Sequence, residues 1–202
     1  MSVRDQLRRI ALHRAHYANG RRRFEILYWL GDPWKMSSEA EASRFQWTNR
    51  LIEGHLGPLG TLLEVGCGEG HQSLHLIKQC DQLFGIDVSR SAIARCRARC
   101  PQGQFVVGSH VEFAFPSTPA VFDLVVACEV IYYLRDVTAA IAQLSALGRA
   151  CLITYYDARA PELDPIFADV AEGTDVHRHG QTTWKAVWWR NHRANAADGG
   201  AR

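Results

Sequence analysis

The chain has 202 residues, of which 47% are hydrophobic and 22% charged, and its formal net charge is +2 at pH 7. This length suits one globular domain with a full core, and the composition excludes a disordered or fibrous chain. No apolar run approaches the roughly 20 residues that span a bilayer, and the first residues lack a signal-peptide core, so we expect a cytoplasmic protein without membrane contact.

The first quarter of the chain has a helical pattern without a convincing strand, and we assign residues 1–56 to a helical cap or lid. Asp32-Pro33 favours a turn inside this region, and a second helix is predicted from Ser38 to about His55. Arginines are concentrated here, including the run Arg21-Arg22-Arg23. A solvated helix face is favoured for them over a patch that binds an anionic ligand.

From residue 57 onward strands and helices alternate, and residues 57–193 form the predicted main domain. Strands are predicted at 61–65, 82–86, 104–107, 122–127, 150–155, 175–179 and 183–190, and helices at 71–79, 89–99, 136–147 and 161–171. Apolar strands that alternate with helices indicate a mostly parallel sheet covered on both faces. The expected fold is an α/β three-layer α/β/α sandwich with a seven-stranded sheet, followed by a disordered tail at 194–202.

The residue types that bind metals or form disulfides lack the spacings that such sites need. Six cysteines occur without a Cys-x-x-Cys pair, which favours reduced thiols packed in the core. His71 and His75 have no third ligand nearby, so an exposed helix face is favoured over a metal site. His177 and His179 alternate along a predicted strand, where an edge-strand surface is favoured over a substrate mouth. We therefore expect no metal cofactor.

A glycine turn after the first predicted strand is the strongest functional signal. Glu64 ends that strand, and Gly66, Gly68 and Gly70 follow on alternate positions. Asp87 ends the second strand, where a carboxylate can accept hydrogen bonds from both ribose hydroxyls of a nucleoside. The spacing differs from the dinucleotide fingerprint, and a pyrophosphate beside Glu64 would place anion near anion. A cationic cofactor such as S-adenosylmethionine, which carries a sulfonium and an ammonium, suits this turn better.

Three segments resemble the motifs of class I S-adenosylmethionine-dependent methyltransferases, namely 62–70, 85–89 and 122–130, and the resemblance covers roughly residues 60–156. It implies a Rossmann-like fold and makes 57–193 the cofactor-binding methyltransferase domain. A closer resemblance is to the NodS family, through Asp32-Pro33-Trp34, the segment 129–134 and the apolar end at 183–190. That family N-methylates the deacetylated terminal glucosamine of chitin oligosaccharides, so a small-molecule amine is the implied acceptor.

The resemblance also implies a set of cofactor-binding residues. They are Trp34, Glu64, Gly66, Cys67, Gly68, Gly70, Asp87, Val88, Ser109, His110, Val111, Ala127 and Cys128. The loop from Gly66 to Gly70 would cradle the methionine half, and Asp87 would take the ribose hydroxyls. Ser109 departs from the acid that many relatives have beside the adenine, which leaves the adenine amino group a weaker acceptor.

Glu129, Tyr132 and Tyr133 are the candidate catalytic residues. Glu129 follows the fourth strand at the edge where open α/β sheets bind ligands, and a carboxylate there can bind an ammonium and take its proton. The alternative for Glu129 is an acid favoured by a helix dipole. The tyrosine pair suits a sugar ring or the methyl group, with packing against the cap as the alternative, and Trp34 is either a lid or an anchor.

Several other functions stay open from the residues alone. A small-molecule O-methyltransferase is a competitor, because a carboxylate also serves a hydroxyl. An RNA methyltransferase has only the early arginines in its favour, and the segment 127–130 lacks the Pro-Pro motif of DNA amino-methylating enzymes, so nucleic acid is a disfavoured partner. A nicotinamide-dependent oxidoreductase or a nucleotide-binding module without catalysis represents a different class. The oligomeric state cannot be inferred.

Overall fold

The computed structural model describes residues 21–29, 32 and 34–191, without the side chains of 21–23. The predicted tail at 194–202 and most of the early arginines lie outside these residues. The helices are α1 (Arg21–Trp29), α2 (Glu39–His55), α3 (Ser73–Leu76), α4 (Arg90–Arg99), α5 (Val137–Leu147) and α6 (Ala160–Phe167). The strands are β1 (Leu59–Val65), β2 (Cys80–Asp87), β3 (Gln104–Val107), β4 (Phe122–Cys128), β5 (Gly148–Tyr156), β6 (Gly173–His179) and β7 (Thr182–Arg190). Short 3₁₀ turns cover Ile131–Tyr133 and Asp157–Arg159.

The seven strands form one sheet in the order β3-β2-β1-β4-β5-β7-β6. Strands β1 to β5 pair in parallel, whereas β7 runs antiparallel to both of its neighbours. The predicted α/β sandwich with a mostly parallel seven-stranded sheet is confirmed. Strands β6 and β7 at one edge are antiparallel because only two residues connect them, and so short a connection can join neighbouring strands only as a hairpin.

Two apolar layers cover the sheet, one on each face. Alternating strand residues such as Leu63 and Val125 face α5 and α6, while Leu62 and Leu124 face α2, α3 and α4. Trp189 and Trp188 enter opposite layers in the same way, as the two-residue period of a strand requires. Helix α2 is therefore one of the covering helices of the sheet. The division of the chain into a cap and a domain at residue 56 stays a prediction.

Most predicted elements have the expected type, and their ends differ for local reasons. Ser38, Ser89 and Asp136 accept hydrogen bonds from the first-turn amides of α2, α4 and α5, so these helices begin where capping chemistry places them. The helix predicted at 71–79 shrinks to α3, since Lys78 and Gln79 already make i−3 bonds that tighten the chain before β2 begins at Cys80.

The sheet order fixes where a ligand can bind. Strand β1 lies between β2 and β4. Strands β2 and β3 are added on one side of β1, and β4 and β5 on the other side, so a crevice opens at the carboxyl ends of β1 and β4. The glycine turn leaves β1 at this edge and Glu129 leaves β4 beside it. No helix in the described part of the chain is long and apolar enough to cross a membrane.

Candidate active site

A cavity of about 500 Å³ lies at the carboxyl edge of the sheet. Its lining includes thirteen of the sixteen residues singled out from the sequence: Trp34, Glu64, Gly66, Cys67, Gly68, Asp87, Val88, Ser109, His110, Cys128, Glu129, Tyr132 and Tyr133. This volume falls within the usual range for small-molecule and cofactor sites. One enclosed space therefore adjoins the glycine turn, the acid of β2 and the segment after β4.

The glycine turn is held by backbone bonds that only glycine geometry permits. Gly66, Gly68 and Gly70 have φ angles of 76°, 53° and 82°, in the left-handed region. The amides of Gly66 and Cys67 both donate to the carbonyl of Ile86, at 2.8 and 3.0 Å. A Cβ at Gly66 would collide with the Val130 side chain, so the turn also packs against the segment after β4.

Asp87 lies at the centre of the cavity wall. Its Oδ2 accepts a hydrogen bond from the Gly68 amide at 3.0 Å, and its Oδ1 accepts one from the Ser89 amide at 2.9 Å. The Tyr28 hydroxyl of α1 lies 3.5 Å from Oδ2. Burial raises the pKa of Asp87 to about 6, although the backbone donors oppose this shift. The carboxylate is thus fixed in direction, with lone pairs left for a ligand.

Glu64 is only 2% exposed. Ser73, the first residue of α3, donates its hydroxyl to Glu64 Oε2 at 2.5 Å. Burial raises the pKa of Glu64 to about 8, with Ser73 and Arg44 acting in the opposite direction. Without a ligand this acid therefore holds a proton at pH 7, and a nearby positive charge would favour its ionised form.

Glu129 adopts an unusual backbone conformation immediately after β4. Its φ of 58° lies in the left-handed region, which is costly for a residue with a side chain and is found mostly at functional sites. Thr154 and Tyr132 donate their hydroxyls to Oε1 and Oε2, each at 3.0 Å. Burial raises the pKa of Glu129 to about 7, while the Arg44 charge lowers it. The carboxylate is therefore oriented and titrates near neutral pH.

Aromatic residues from the N-terminal segment lie against the tyrosines that follow Glu129. Trp34 donates its indole Nε1–H to the Tyr133 hydroxyl at 3.1 Å, and its ring lies 5.1 Å from that of Tyr28. Phe24 meets Tyr133 edge to face at 5.6 Å. Trp34 thus contacts both the N-terminal helix and the segment after β4. These contacts are compatible with a lid over the cavity and with an anchor between the two segments.

Three residues of the predicted set do not line the cavity. Ala127, a residue of β4, is fully buried in the core, and Val111 is 61% exposed on the surface. Gly70 faces α4, where a Cβ would lie 2.8 Å from the Cys96 sulfur. These three residues therefore lie outside the lining of the cavity, and their assignment to cofactor binding stays a prediction.

Several cavity residues lack a motif in the sequence, among them Tyr28, Glu41, Arg44 and Tyr156. Arg44 is only 1% exposed, donates to Glu41 Oε2 at 2.7 Å and reaches Gln72 Oε1 at 2.9 Å. Burial alone would lower the pKa of Arg44, but the charges of Glu41 and Glu129 raise it. Glu41 and Arg44 share a face of α2 with buried Thr48 and Leu51, and that spacing could have revealed them.

The cavity wall carries more acidic than basic side chains. Among the described residues it includes six carboxyl side chains, from Asp32, Glu41, Glu64, Glu69, Asp87 and Glu129, against the two arginines Arg44 and Arg135. An excess of acidic groups disfavours a pyrophosphate and attracts cations, because opposite charges at close range attract each other.

The histidines occupy different surroundings from those expected. His71 lies at the cavity wall with Nε2 3.7 Å from Glu69, and His75 packs its ring against Phe45. His177 is stacked between Trp47 and Trp184, so it is not a free edge-strand surface residue. In the part of the chain that the structure covers, no three His, Cys, Asp or Glu side chains are grouped so as to hold a metal.

These features define a class: an α/β protein whose crevice at the topological switch point is built for a nucleoside and for cationic groups. The fold is similar to the crystal structure of the N-methyltransferase NodS from Bradyrhizobium japonicum WM9 in complex with S-adenosyl-l-homocysteine. The TM-score is 0.68 at 22% identity, over 92% of this chain and 98% of that chain. The fold is thus that of a methyltransferase.

A sequence model of the family described as Nodulation protein S (NodS) matches residues 25–152. The chain belongs to this family. It is 38% identical over 109 residues to Nodulation protein S from Sinorhizobium fredii (strain NBRC 101917 / NGR234), which covers 54% of this chain and 50% of that relative. It is 32% identical over 106 residues to the malonyl-[acyl-carrier protein] O-methyltransferase of Magnetococcus marinus (strain ATCC BAA-1437 / JCM 17883 / MC-1), covering 48% and 37%. The chain matches half or less of the length of these curated relatives.

Proposed function

We propose that this protein is an S-adenosylmethionine-dependent methyltransferase that methylates an amine of a small molecule. One observation carries the proposal: the oriented carboxylate of Glu129 lines the same cavity as the glycine turn and Asp87. The turn suits a nucleoside cofactor, and a carboxylate that titrates near neutral pH suits the removal of a proton from an amine.

The glycine turn, Glu64, Asp87 and Ser109 would hold the cofactor, and we call this part of the cavity the cofactor end. The residues fit S-adenosylmethionine because Asp87 keeps lone pairs free for the ribose hydroxyls and the acidic wall suits a sulfonium and an ammonium. When bound, this cofactor supplies an activated methyl group. The protein's main task is then to hold the acceptor nitrogen in line with that methyl.

Glu41, Glu129, Tyr132, Tyr133 and Tyr156 form what we call the acceptor end. Glu129 binds the ammonium form of the acceptor and takes one of its protons, so that the nitrogen lone pair becomes available for attack. Thr154 and Tyr132 keep the carboxylate in position while it does so. Tyr133 and Trp34 shield the reacting atoms from water through their mutual hydrogen bond.

The substrate class is inferred from the family and from the chemistry of the acceptor end. The similar crystal structure is described as an N-methyltransferase, and the carboxylate of Glu129 at the cavity wall suits an ammonium rather than an anionic acceptor. A deacetylated amino sugar or chitin oligosaccharide is the acceptor that we propose. The cytoplasmic location expected from the sequence stays a prediction.

Methylation of an oxygen atom is the second candidate. The malonyl-[acyl-carrier protein] O-methyltransferase relative favours it, and Glu129 could accept a hydroxyl proton as well. An RNA acceptor is disfavoured because the polyanion would meet an acidic cavity, and NAD is disfavoured because its pyrophosphate would do the same.

Two measurements test the proposal. Calorimetric titration should show binding of S-adenosylhomocysteine and no binding of NAD; the reverse pattern would end the methyltransferase interpretation. A methyl-transfer screen over deacetylated chitin oligosaccharides, simple amines, catechols and RNA should then give product with amines first. Product formed only with catechols would establish O-methylation instead, and product only with RNA would overturn the small-molecule acceptor.

A further inference from the structure

Glu41 is a buried acid whose position is not explained by the fold. It lies in the first turn of α2, it is 5% exposed, and it lines the same cavity as Glu129. The buried side chains Thr48 and Ile52 continue the same face of the helix toward the core. A charged residue on such a face is costly unless its charge and hydrogen bonds are used.

The local sequence offers Glu41 a different place. Ser38-x-x-Glu41 is the pattern of a capping box, in which the glutamate side chain bonds back to the amide of the capping serine. Only half of that box forms, since Ser38 Oγ accepts from the Glu41 amide at 3.4 Å. The Ser38 amide instead donates to the Lys35 carbonyl at 2.9 Å. The carboxylate of Glu41 is thereby free to turn toward the cavity.

Arg44 holds this carboxylate through one oxygen only. Its Nε and its terminal nitrogen both approach Glu41 Oε2, each at 2.7 Å. A further Arg44 nitrogen donates to Gln72, which ties the pair to the segment before α3. Glu41 Oε1 has no hydrogen-bond partner among the described residues. Buried ion pairs add little net stability, so stability does not account for the Glu41–Arg44 pair. A better explanation is that this arrangement leaves Glu41 Oε1 available to a ligand.

Glu41 and Glu129 act on the same space. The Glu41 charge raises the pKa of Tyr156, where only burial has a larger effect. It also raises the pKa of Glu129, where burial, Arg44 and Tyr132 all have larger effects. The two acids differ in what they can bind. Glu129 is oriented by two hydroxyl donors and suits the ammonium, whereas the charge of Glu41 is already balanced by Arg44, so its free oxygen suits a neutral donor.

We propose that Glu41 Oε1 accepts a hydrogen bond from a hydroxyl group of the acceptor, so that the enzyme prefers amino alcohols to simple alkylamines. This inference rests on the proposed function and names a residue that selects the acceptor at the same site. A buried acceptor positioned for a hydroxyl discriminates strongly against an analogue without one, because that analogue leaves the acceptor unpaired.

Methyl transfer to glucosamine and to cyclohexylamine, which keeps the ring and the amine but lacks the hydroxyls, tests the proposal. Wild-type protein should show a higher kcat/KM for glucosamine, and Glu41→Leu, which keeps the side-chain size but has no hydrogen-bonding atom, should reduce that preference by about 10- to 100-fold. Glu39→Leu, which removes an exposed acid from the same helical turn, should leave the preference unchanged. A Glu41→Leu variant that loses both activities equally, or neither, would overturn the proposal.

A second variant separates the specificity role from folding. Glu41→Leu leaves Arg44 buried without its partner, which destabilises the protein. The double variant Glu41→Leu/Arg44→Met replaces the ion pair by apolar side chains of similar size and should stay folded, as judged by circular dichroism, yet show the same loss of preference for glucosamine. A folded double variant that keeps the preference contradicts the assignment.

The proposed function and this inference fail in different ways. Wild-type protein that does not bind S-adenosylhomocysteine refutes the proposed function. Wild-type protein that binds it but methylates cyclohexylamine as well as glucosamine, or methylates neither, refutes the amino alcohol preference.

Discussion

The two ends of the cavity are built from the chain in different ways. The cofactor end takes its turn and its two acids from one continuous stretch, from Glu64 at the end of β1 to Asp87 at the end of β2. The acceptor end brings together Glu41 from α2, Glu129 after β4 and Tyr156 from β5. A site made from consecutive backbone is defined locally, whereas a site made from dispersed side chains depends on the packing of the whole sheet.

The two ends should therefore respond differently to substitution. Changes at the cofactor end should act on cofactor affinity, and changes at the acceptor end should act on turnover with the cofactor still bound.

The largest effect is expected for Glu129→Gln. The amide cannot take a proton from the acceptor, and kcat should fall by about 10²- to 10⁴-fold. The affinity for S-adenosylhomocysteine, measured by calorimetry, should stay close to that of the wild type.

The pH profile of the wild type tests the same residue. The acid limb of kcat/KM should lie near pH 7, because Glu129 must lose its proton and its pKa is about 7. This contribution should be missing from the variant; an unchanged profile and kcat would remove Glu129 from the mechanism.

Asp87→Ala should act mainly on cofactor binding. Loss of hydrogen bonds between a carboxylate and the ribose hydroxyls should weaken S-adenosylhomocysteine binding by about 100-fold. Asp81→Ala, an exposed acid near the start of the same strand, is the matched control and should bind normally. Calorimetry on both variants decides the matter, and equal affinities would exclude Asp87 from the ribose site.

Gly66→Ala should disturb both ends at once. The added Cβ meets Val130, the residue after Glu129, in addition to the strain of a φ of 76°. Gly57→Ala is a matched control, since its φ is 75° and no atom lies within 4 Å of its Cβ position. Both variants should lose about 1–2 kcal/mol of unfolding free energy from the left-handed conformation. Only Gly66→Ala should also lose at least tenfold in kcat/KM, and equal activities would show that the turn and Glu129 are not mechanically coupled.

The smallest effect concerns a proton at the cofactor end. Glu64 has a pKa of about 8 without ligand, so it is mostly protonated at pH 7. A cation bound nearby lowers this pKa, and cofactor binding should then release up to about one proton. Calorimetry in two buffers of different ionisation enthalpy measures this release, which Glu64→Gln should abolish. Proton uptake by the wild type would contradict the assigned direction.

The sequence predicts the cofactor end better than the acceptor end for a physical reason. Glycines at alternate positions and an acid after an apolar strand express local backbone requirements, so they can be recognised within 25 residues or so of chain. Thr154, which orients Glu129, belongs to β5, and nothing near it in sequence indicates that contact. Ser38-x-x-Glu41 even indicates a helix cap rather than a cavity residue. Contacts of this kind depend on strand order, which local patterns do not encode.

The strand ends show the same limit on a smaller scale. Strand β5 begins at Gly148 and ends at Tyr156, beyond both predicted ends, because its neighbours β4 and β7 continue the hydrogen-bonded ladder there. That extension places Tyr156 at the cavity. Tertiary pairing therefore determines both the length of the strand and part of the acceptor end.

The most direct test of the central claim is the atom that receives the methyl group. Glucosamine carries an amine and several hydroxyls in one molecule, and ¹³C-methyl-labelled S-adenosylmethionine allows the product to be read by NMR. The structure predicts an N-methyl signal from the wild type that disappears in Glu129→Gln. An O-methyl signal, or an N-methyl signal of equal rate in the Glu129→Gln variant, would contradict an amine methyltransferase that works through this carboxylate.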